Sequence, residues 1–177
     1  KIYSKNKNVI LNFNKKNRGY GGNIKICLSY ALMKKFDYAV MVHGDNQYNP
    51  KYIPIMMKFL EKNKLTQAVT GSRLLKSIKN TTRGGMPIYK LIGNIILTKF
   101  QNLLLGTNFS DAHTGFWAYR INNFKDKFYL LTTDGFNFDQ QLRFQHIYKK
   151  QKVLEIPIDT RYADERSQLH IKYAIRF

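Results

Sequence analysis

The chain has 177 residues, with 30 Lys and Arg against 11 Asp and Glu for a formal net charge of +19, and 44% of its residues are apolar. This content of apolar and aromatic residues can bury a core, which argues against disorder, and the length fits one domain of roughly 100–200 residues. The single cysteine, Cys27, excludes an internal disulfide framework and a multi-cysteine zinc cluster. Because no stretch resembles a signal peptide or reaches the roughly 18–20 apolar residues of a spanning helix, we expect a cytoplasmic protein.

Apolar runs of strand length alternate with helical patterns along the chain. The predicted strands are 9–13, 38–42, 67–71, 116–119 and 153–158, and the predicted helices are about 24–36, 49–61, 88–105 and 136–149. Residues 72–87 are polar, basic and glycine-containing, which predicts a long mobile loop. Strands that alternate with helices predict an α/β sheet in a single domain, 1–177.

The positive charge is unevenly distributed. Nine basic residues precede the first acid, Asp37, and eight more lie between Glu61 and Asp111 with no acid among them. Clustered cations neutralise phosphate, which first suggests nucleic acid. The excess is mostly lysine, 22 against 8 arginines, and it accompanies abundant Asn and Ile, a composition that AT-rich coding also produces.

The most informative polar segment directly follows the predicted strand 38–42. His43, Asp45 and Gln47 occupy every second position of this segment, so an extended turn would place their side chains on one side. Ligands of open α/β sheets bind beyond the carboxyl ends of strands. An imidazole, a carboxylate and an amide oxygen suit Mn²⁺ or Mg²⁺ and leave positions for phosphate oxygens. An Asx turn at Asp45 ahead of Pro50 is the structural alternative.

An ordered series of motifs, running from about Val9 to Ser167, resembles family 2 glycosyltransferases. The segments are VHGDNQYNP at 42–50, GSR at 71–73, GGMP at 84–87 with GN at 93–94, HTG at 113–115, GFNFD at 135–139 and EIPIDTRY at 155–162. Within that family the chain is most similar to polyprenyl-phosphate sugar transferases of the dolichyl-phosphate mannose synthase type. The resemblance implies a GT-A fold, that is, a Rossmann-like, mostly parallel sheet flanked by helices.

The resemblance also implies a metal and donor site. Family members usually carry Asp-x-Asp-x-Gln after this strand, and the corresponding residues here are His43, Asp45 and Gln47, which would bind Mn²⁺ or Mg²⁺. Because a neutral histidine replaces the first carboxylate, the affinity for Mg²⁺ should be lower. Asn17 and Gly19 correspond to the Asn-x-Gly turn beside the donor nucleotide, where glycine permits a close backbone approach; a simple tight turn is the alternative.

Further roles follow from the same comparison of motifs. Arg73 corresponds to a donor diphosphate-binding arginine, and Arg83 lies in the flexible stretch 72–87 that meets the acceptor phosphate. Asp111 corresponds to the candidate catalytic carboxylate, which orients or deprotonates the acceptor. His113 is either a supporting partner or a turn residue, and Asp139 at a helix start is either structural or catalytic.

The implied reaction transfers a sugar from a GDP- or UDP-linked donor to a polyprenyl (dolichyl or undecaprenyl) phosphate, with metal assistance and inversion, as in the synthesis of cell-envelope polysaccharide. The family places the helix 88–105, with Lys90 and Lys99, near the bilayer, so we expect peripheral binding to anionic lipid at the cytoplasmic face. On this interpretation the charge serves pyrophosphate and lipid, and no nucleic-acid partner is expected.

Two features of the family are missing from this sequence. Members begin with a strand and a Pro-Ala-Tyr-Asn-Glu type loop, followed by a strand ending in an Asp-Asp-Gly-Ser type turn, and neither is present. The chain is therefore interpreted as an N-terminally incomplete catalytic domain. Two alternatives stay open at this stage: a noncatalytic basic module that binds RNA or anionic membrane, and a metal-dependent nucleotidyltransferase.

Overall fold

The computed structural model describes residues 8–75, 81–82 and 84–162. Its helices are α1 (Gly19–Met33), α2 (Ile53–Lys62), α3 (Ile88–Leu105) and α4 (Phe138–Tyr148), and its strands are β1 (Tyr38–Met41), β2 (Thr66–Ser72), β3 (Trp117–Arg120) and β4 (Lys152–Pro157). Single turns of 3-10 helix occupy Pro50–Tyr52, Ile121–Phe124 and Phe128–Leu131. Within this part of the chain, no helix is both long and apolar enough to cross a bilayer.

The four strands form one sheet in the order β1-β3-β2-β4. β2 and β4 are parallel, whereas β3 is antiparallel to both of its neighbours. The α/β class and the mostly parallel sheet are therefore confirmed, since β1, β2 and β4 run in the same direction and β3 alone among the described strands is antiparallel. The reason lies in the connection after α3, which returns the chain to the edge where β1 and β2 end, so that Trp117 at the start of β3 pairs with both Met41 and Thr70.

Alternate residues of the central strands build separate cores on the two faces of the sheet, as the pleat of a strand requires. On one face, Trp117 and Tyr119 pack with Leu28 of α1 and Phe138 of α4. On the other face, Phe116, Val69, Ala118 and Ile156 pack with Met56 and Leu60 of α2. The sheet is thus covered by helices on both sides.

One predicted strand is wrong. Residues 9–13 have no regular structure, and their apolar side chains are exposed, Phe13 by 84%. A strand needs neighbouring backbone to pair its N–H and C=O groups, and no strand in the described ranges pairs with this run. α1 also begins earlier than predicted, at Gly19, and ends at Met33, whereas α3 has the predicted bounds. Within the predicted loop 72–87, residues 76–80 and Arg83 lie outside the described residues.

Candidate active site

The ends of β1 and β2 and the start of β3 meet at one edge of the sheet, and the motif residues converge there. The loop with His43 leaves β1, Arg73 follows β2, and Asp111 precedes β3. The first turn of α1 and the start of α4 reach the same region, since the Tyr20 hydroxyl is 2.7 Å from Oδ2 of Asp139 and 3.1 Å from Nε2 of His43.

Arg73 and Asp111 form a buried, bidentate ion pair. Nε of Arg73 donates to Oδ2 of Asp111 at 2.6 Å, and an Nη donates to Oδ1 at 2.8 Å. The guanidinium also donates to the hydroxyl of Tyr162 and to the carbonyl of His113. Asp111 has no exposed surface and Arg73 only 8%. The planar fork of the arginine is therefore already occupied by a carboxylate of the protein.

Further polar side chains hydrogen-bond to the carboxylate of Asp111 and to the backbone amides beside it. Asn94 of α3 donates to Oδ1 of Asp111 at 3.0 Å, and Thr98 fixes the Asn94 amide from one turn further on. The carboxylate of Glu155 on β4 accepts from the backbone amides of Ser110 and Asp111. Burial alone would raise the pKa of Asp111, but Arg73 and then Asn94 hold it well below its usual range.

This geometry bears on the roles predicted for both residues. Asp111 has no exposed atom with which to meet an acceptor, and both of its oxygens are engaged. Arg73 likewise presents no open fork to a diphosphate. A catalytic contact of Asp111 and a donor contact of Arg73 stay predictions. The observed ion pair links the end of β2 to the turn before β3.

The His43 loop differs in being accessible. Asp45 is exposed, and its Oδ1 accepts from the backbone amide of Gln47 at 3.0 Å, which is the Asx turn considered from the sequence. Gln47 is half-buried, and its carbonyl accepts from the amide of Arg161. Beside it lies a cleft of about 300 Å³ lined by Gln47, Lys51, Asp159 and Arg161 among others. The loop therefore offers a carboxylate to solvent at the edge of the sheet.

His43 itself is held among aromatic rings. It meets Tyr20 edge-on at 5.6 Å and Tyr48 at 5.2 Å between ring centroids. Burial lowers the pKa of His43, and the nearby charge of Asp45 opposes that shift. The imidazole is therefore neutral near pH 7, which is the form that binds metal ions.

Asp139 is half-buried, and its carboxylate lacks the partners that Asp111 has. Its Oδ2 accepts from Tyr20, but its Oδ1 has no hydrogen-bond partner among the described residues. Burial raises the pKa of Asp139 to about 7, against the opposing effects of Tyr20 and Arg143. Arg143 is itself enclosed between the rings of Phe109 and Trp117, and its guanidinium nitrogens find no acceptor in the described part of the chain.

The predicted donor turn is shaped by contacts within the protein. Oδ1 of Asn17 accepts from the amide of Gly19 at 2.8 Å. Gly19 has a φ of +72°, and a Cβ there would lie 2.5 Å from the carbonyl oxygen of Asp134, which also accepts from the amides of Gly21 and Gly22. Glycine is thus required here by the neighbouring backbone, and a contact of Asn17 and Gly19 with a nucleotide stays a prediction.

Several residues of this site were not assigned a role from sequence. Asn94 and Glu155 lay inside quoted motifs, which was the available signal, whereas Tyr20 and Arg143 gave none. His113 proves to be a half-buried partner of Gln140 through Nδ1 at 3.1 Å, and desolvation lowers its pKa to about 4. Arg83, predicted to bind the acceptor, lies outside the described residues.

Comparison with known proteins identifies the family to which the sequence is similar. The family model described as "Glycosyl transferase family 2" matches residues 1–128. The chain is 30% identical over 165 residues to the uncharacterized protein MJ0544 of Methanocaldococcus jannaschii, covering 89% of this chain and 67% of that protein. It is 22% identical over 141 residues to the undecaprenyl-phosphate mannosyltransferase of Micrococcus luteus, covering 79% of this chain and 56% of that protein.

A solved structure has a similar fold. Glucosyl-3-phosphoglycerate synthase from Mycobacterium tuberculosis in complex with UDP superposes with a TM-score of 0.60 at 12% identity, over 88% of this chain. A second structure of that enzyme contains Mn²⁺, UDP and glucosyl-3-phosphoglycerate. The chain spans 50% of the length of this enzyme, so the likeness concerns the fold of the shared part.

Proposed function

Because the chain belongs to glycosyl transferase family 2, we propose that the protein transfers a sugar from a nucleotide-sugar donor to a polyprenyl phosphate with the help of a divalent cation. The observation that carries the proposal is the accessible carboxylate of Asp45 just beyond β1, at the edge of the sheet where open α/β folds bind their ligands. A similarly folded enzyme holds Mn²⁺ and UDP, and one relative is named for an undecaprenyl-phosphate substrate.

The donor atoms of the loop fit such an ion. Asp45 supplies a carboxylate, His43 a neutral imidazole and Gln47 an amide oxygen, a mixture that suits Mn²⁺ better than Mg²⁺. The described ranges contain no group of three or more His, Cys, Asp or Glu side chains that could enclose an ion, so most of the coordination shell would come from water and the donor diphosphate. When bound, the ion would neutralise the departing nucleoside diphosphate.

The buried pair of Arg73 and Asp111 would act by holding the loops around the donor in place. An acceptor phosphate is already anionic near neutral pH, so its attack on the anomeric carbon needs little help from a general base. Asp111 therefore has a positioning role in this proposal, since it orients Arg73 and, through the amide of His113 at 3.2 Å, the turn before β3.

The acceptor's lipid chain requires a membrane surface, and α3 offers a candidate. Its exposed apolar side chains are Ile88, Tyr89, Ile92, Ile96, Leu97, Phe100, Leu103, Leu104 and Leu105. Lys90 and Lys99 lie on the same helix, and residues 62–110 contain no acid. An apolar face with flanking lysines and no opposing charge suits an anionic lipid surface.

The function is tested by following transfer of labelled sugar from UDP- and GDP-linked donors to undecaprenyl or dolichyl phosphate. Asp45→Ala should abolish metal-dependent transfer, whereas Asp37→Ala, at another exposed aspartate, should leave it unchanged. Circular dichroism should show both variants folded. Undiminished transfer by Asp45→Ala would contradict the assignment of the metal site.

Vesicle flotation tests the membrane surface separately. Leu103→Glu should weaken binding to vesicles containing anionic lipid, because Leu103 is 81% exposed on α3. Leu131→Glu is the matched control, since Leu131 is 83% exposed on a different element. Equal loss in both variants, or equal binding of the unaltered protein to neutral vesicles, would count against α3 as a lipid-binding face.

A further inference from the structure

The hydroxyl of Tyr20 lies between His43 and Asp139, two residues that are far apart in the sequence. It is 2.7 Å from Oδ2 of Asp139 and 3.1 Å from Nε2 of His43. Its ring stacks on Phe136, 5.7 Å between centroids. Tyr20 thus connects the first turn of α1, the start of α4 and the loop after β1.

The protons in this chain of hydrogen bonds can be assigned from the chemistry of the three groups. The hydroxyl of Tyr20 donates its single proton to Oδ2 of Asp139. Toward His43 the Tyr20 oxygen is then an acceptor, and Nε2 of the neutral imidazole must donate. The other ring nitrogen, Nδ1, keeps the lone pair.

The surrounding packing holds the imidazole in this arrangement. A Cβ on Gly115 would lie 2.7 Å from Cε1 and 3.0 Å from Nε2 of His43, and 3.3 Å from the Tyr20 hydroxyl. The pair is therefore seated directly on the bare α-carbon of Gly115. The hydroxyl of Tyr48, whose ring meets the His43 ring edge-on, accepts from the amide of Gly115 and fixes that backbone.

From this geometry we infer that Tyr20 is the positioning residue of the candidate metal site: held by Asp139, it accepts a hydrogen bond from Nε2 of His43 and so reserves Nδ1 for the divalent cation. The inference rests on the proposed function. It extends the common arrangement in which a metal-binding histidine donates its second ring N–H to a carboxylate or carbonyl, with a tyrosine inserted between histidine and carboxylate. It also predicts a preference for Mn²⁺ over Mg²⁺, because an imidazole nitrogen favours the softer ion.

The first test needs no metal. Long-range ¹H–¹⁵N spectra of the imidazoles, assigned with His43→Gln, should show a single Nε2–H tautomer for His43 in the full chain. Tyr20→Phe keeps the ring and should give a mixture of both tautomers. Tyr129→Phe is the control, since it removes another buried hydroxyl, one that pairs with Ser29 at 2.8 Å. An unchanged tautomer in Tyr20→Phe would overturn the inference.

The second test measures Mn²⁺ affinity by electron paramagnetic resonance of the free ion. Tyr20→Phe should weaken Mn²⁺ binding by roughly ten- to a hundredfold, but it should cause no further loss in a His43→Gln background. Equal losses in both backgrounds would mean that Tyr20 acts on the fold alone, which overturns the inference and leaves the proposed transfer standing. A full chain that transfers sugar without binding Mn²⁺ would overturn the role given to His43.

Discussion

Asp111 and Asp139 lie at the same edge of the sheet, Asp111 buried and Asp139 half-buried, and their environments shift their pKa values in opposite directions. Asp111 accepts from Arg73, Asn94 and two backbone amides, and its pKa is well below the ordinary value. Among the described residues, the Asp139 side chain accepts from Tyr20 alone, and its pKa rises to about 7. Burial by itself therefore decides neither the charge nor the role of a carboxylate. The fully bonded one fixes the fold, whereas the sparsely bonded one can change protonation near neutral pH.

The largest expected effect comes from removing Asp111, the carboxylate whose oxygens are both hydrogen-bonded. Asp111→Ala leaves the guanidinium of Arg73 buried without its carboxylate, which should lower the free energy of unfolding by about 3–5 kcal/mol. Urea denaturation at neutral pH measures this loss. Asp45→Ala, at an exposed carboxylate, should change stability by less than about 0.5 kcal/mol. Similar midpoints for the two variants would show that the Arg73–Asp111 pair is not what holds this edge together.

Removing the charge of Asp139 should instead raise the free energy of unfolding at neutral and higher pH. The folded-state pKa of about 7 lies above the ordinary 3.8, so the folded state binds this proton more tightly than the unfolded chain does. The contribution of Asp139 to stability therefore falls as pH rises from about 4 to 7, by up to roughly 4 kcal/mol, and then levels off. Asp139→Asn removes this dependence.

The variant can be distinguished from a general stabilisation by its pH profile. At pH about 8, Asp139→Asn should be more stable than the unaltered protein by roughly 2–4 kcal/mol, whereas near pH 4 the two should be similar. The amide oxygen of Asn can still accept from Tyr20. Urea midpoints across this range give the measurement, and parallel profiles for the two proteins would contradict a raised pKa at Asp139.

Arg143 limits the difference between the pKa values of Asp111 and Asp139, because its charge lowers the pKa of Asp139. Arg143→Met should raise that pKa further above about 7 and cost about 1–2 kcal/mol at pH about 8. Near pH 5 this part of the cost should vanish, because Asp139 is then largely protonated. Any cost that remains there reflects the attraction of the guanidinium to Glu155 and Asp111. In an Asp139→Asn background the pH-dependent part should disappear, and its persistence there would implicate another carboxylate.

The sequence predicted the parts of the fold that depend on local pattern. Apolar runs at 38–42 and 67–71 became β1 and β2 because helices cover both faces of the sheet, and the bounds of α3 follow from one uninterrupted helical stretch. The run 9–13 has the same local pattern but no paired strand in the described structure. The antiparallel direction of β3 could not be predicted, because strand direction depends on where a connection returns the chain and periodicity does not record this.

The candidate site was predictable in location but not in its pairings. The sequence identified the loop after β1, and the family was confirmed. It could not show that Arg73 and Asp111, 38 residues apart, bind each other, or that Tyr20 meets Asp139 across 119 residues. Motifs report which residue types occur in order, whereas charge state depends on contacts between distant segments. For that reason the sequence left Asp139 open between two roles, and only the structure shows that its surroundings raise its pKa while those of Asp111 lower it.

The smallest expected effect comes from the outer part of the Asp111 network. Oγ1 of Thr98 donates to Oδ1 of Asn94 and accepts from the amide of Ala112, both at 3.1 Å, in a buried position. Thr98→Val keeps the shape but leaves both groups without a partner, which should cost about 1 kcal/mol. Thr98→Ser keeps the hydroxyl and should retain most of this stability. If thermal unfolding shows Val and Ser to be equivalent, then the shape of the side chain, and not its hydroxyl, supports Asn94.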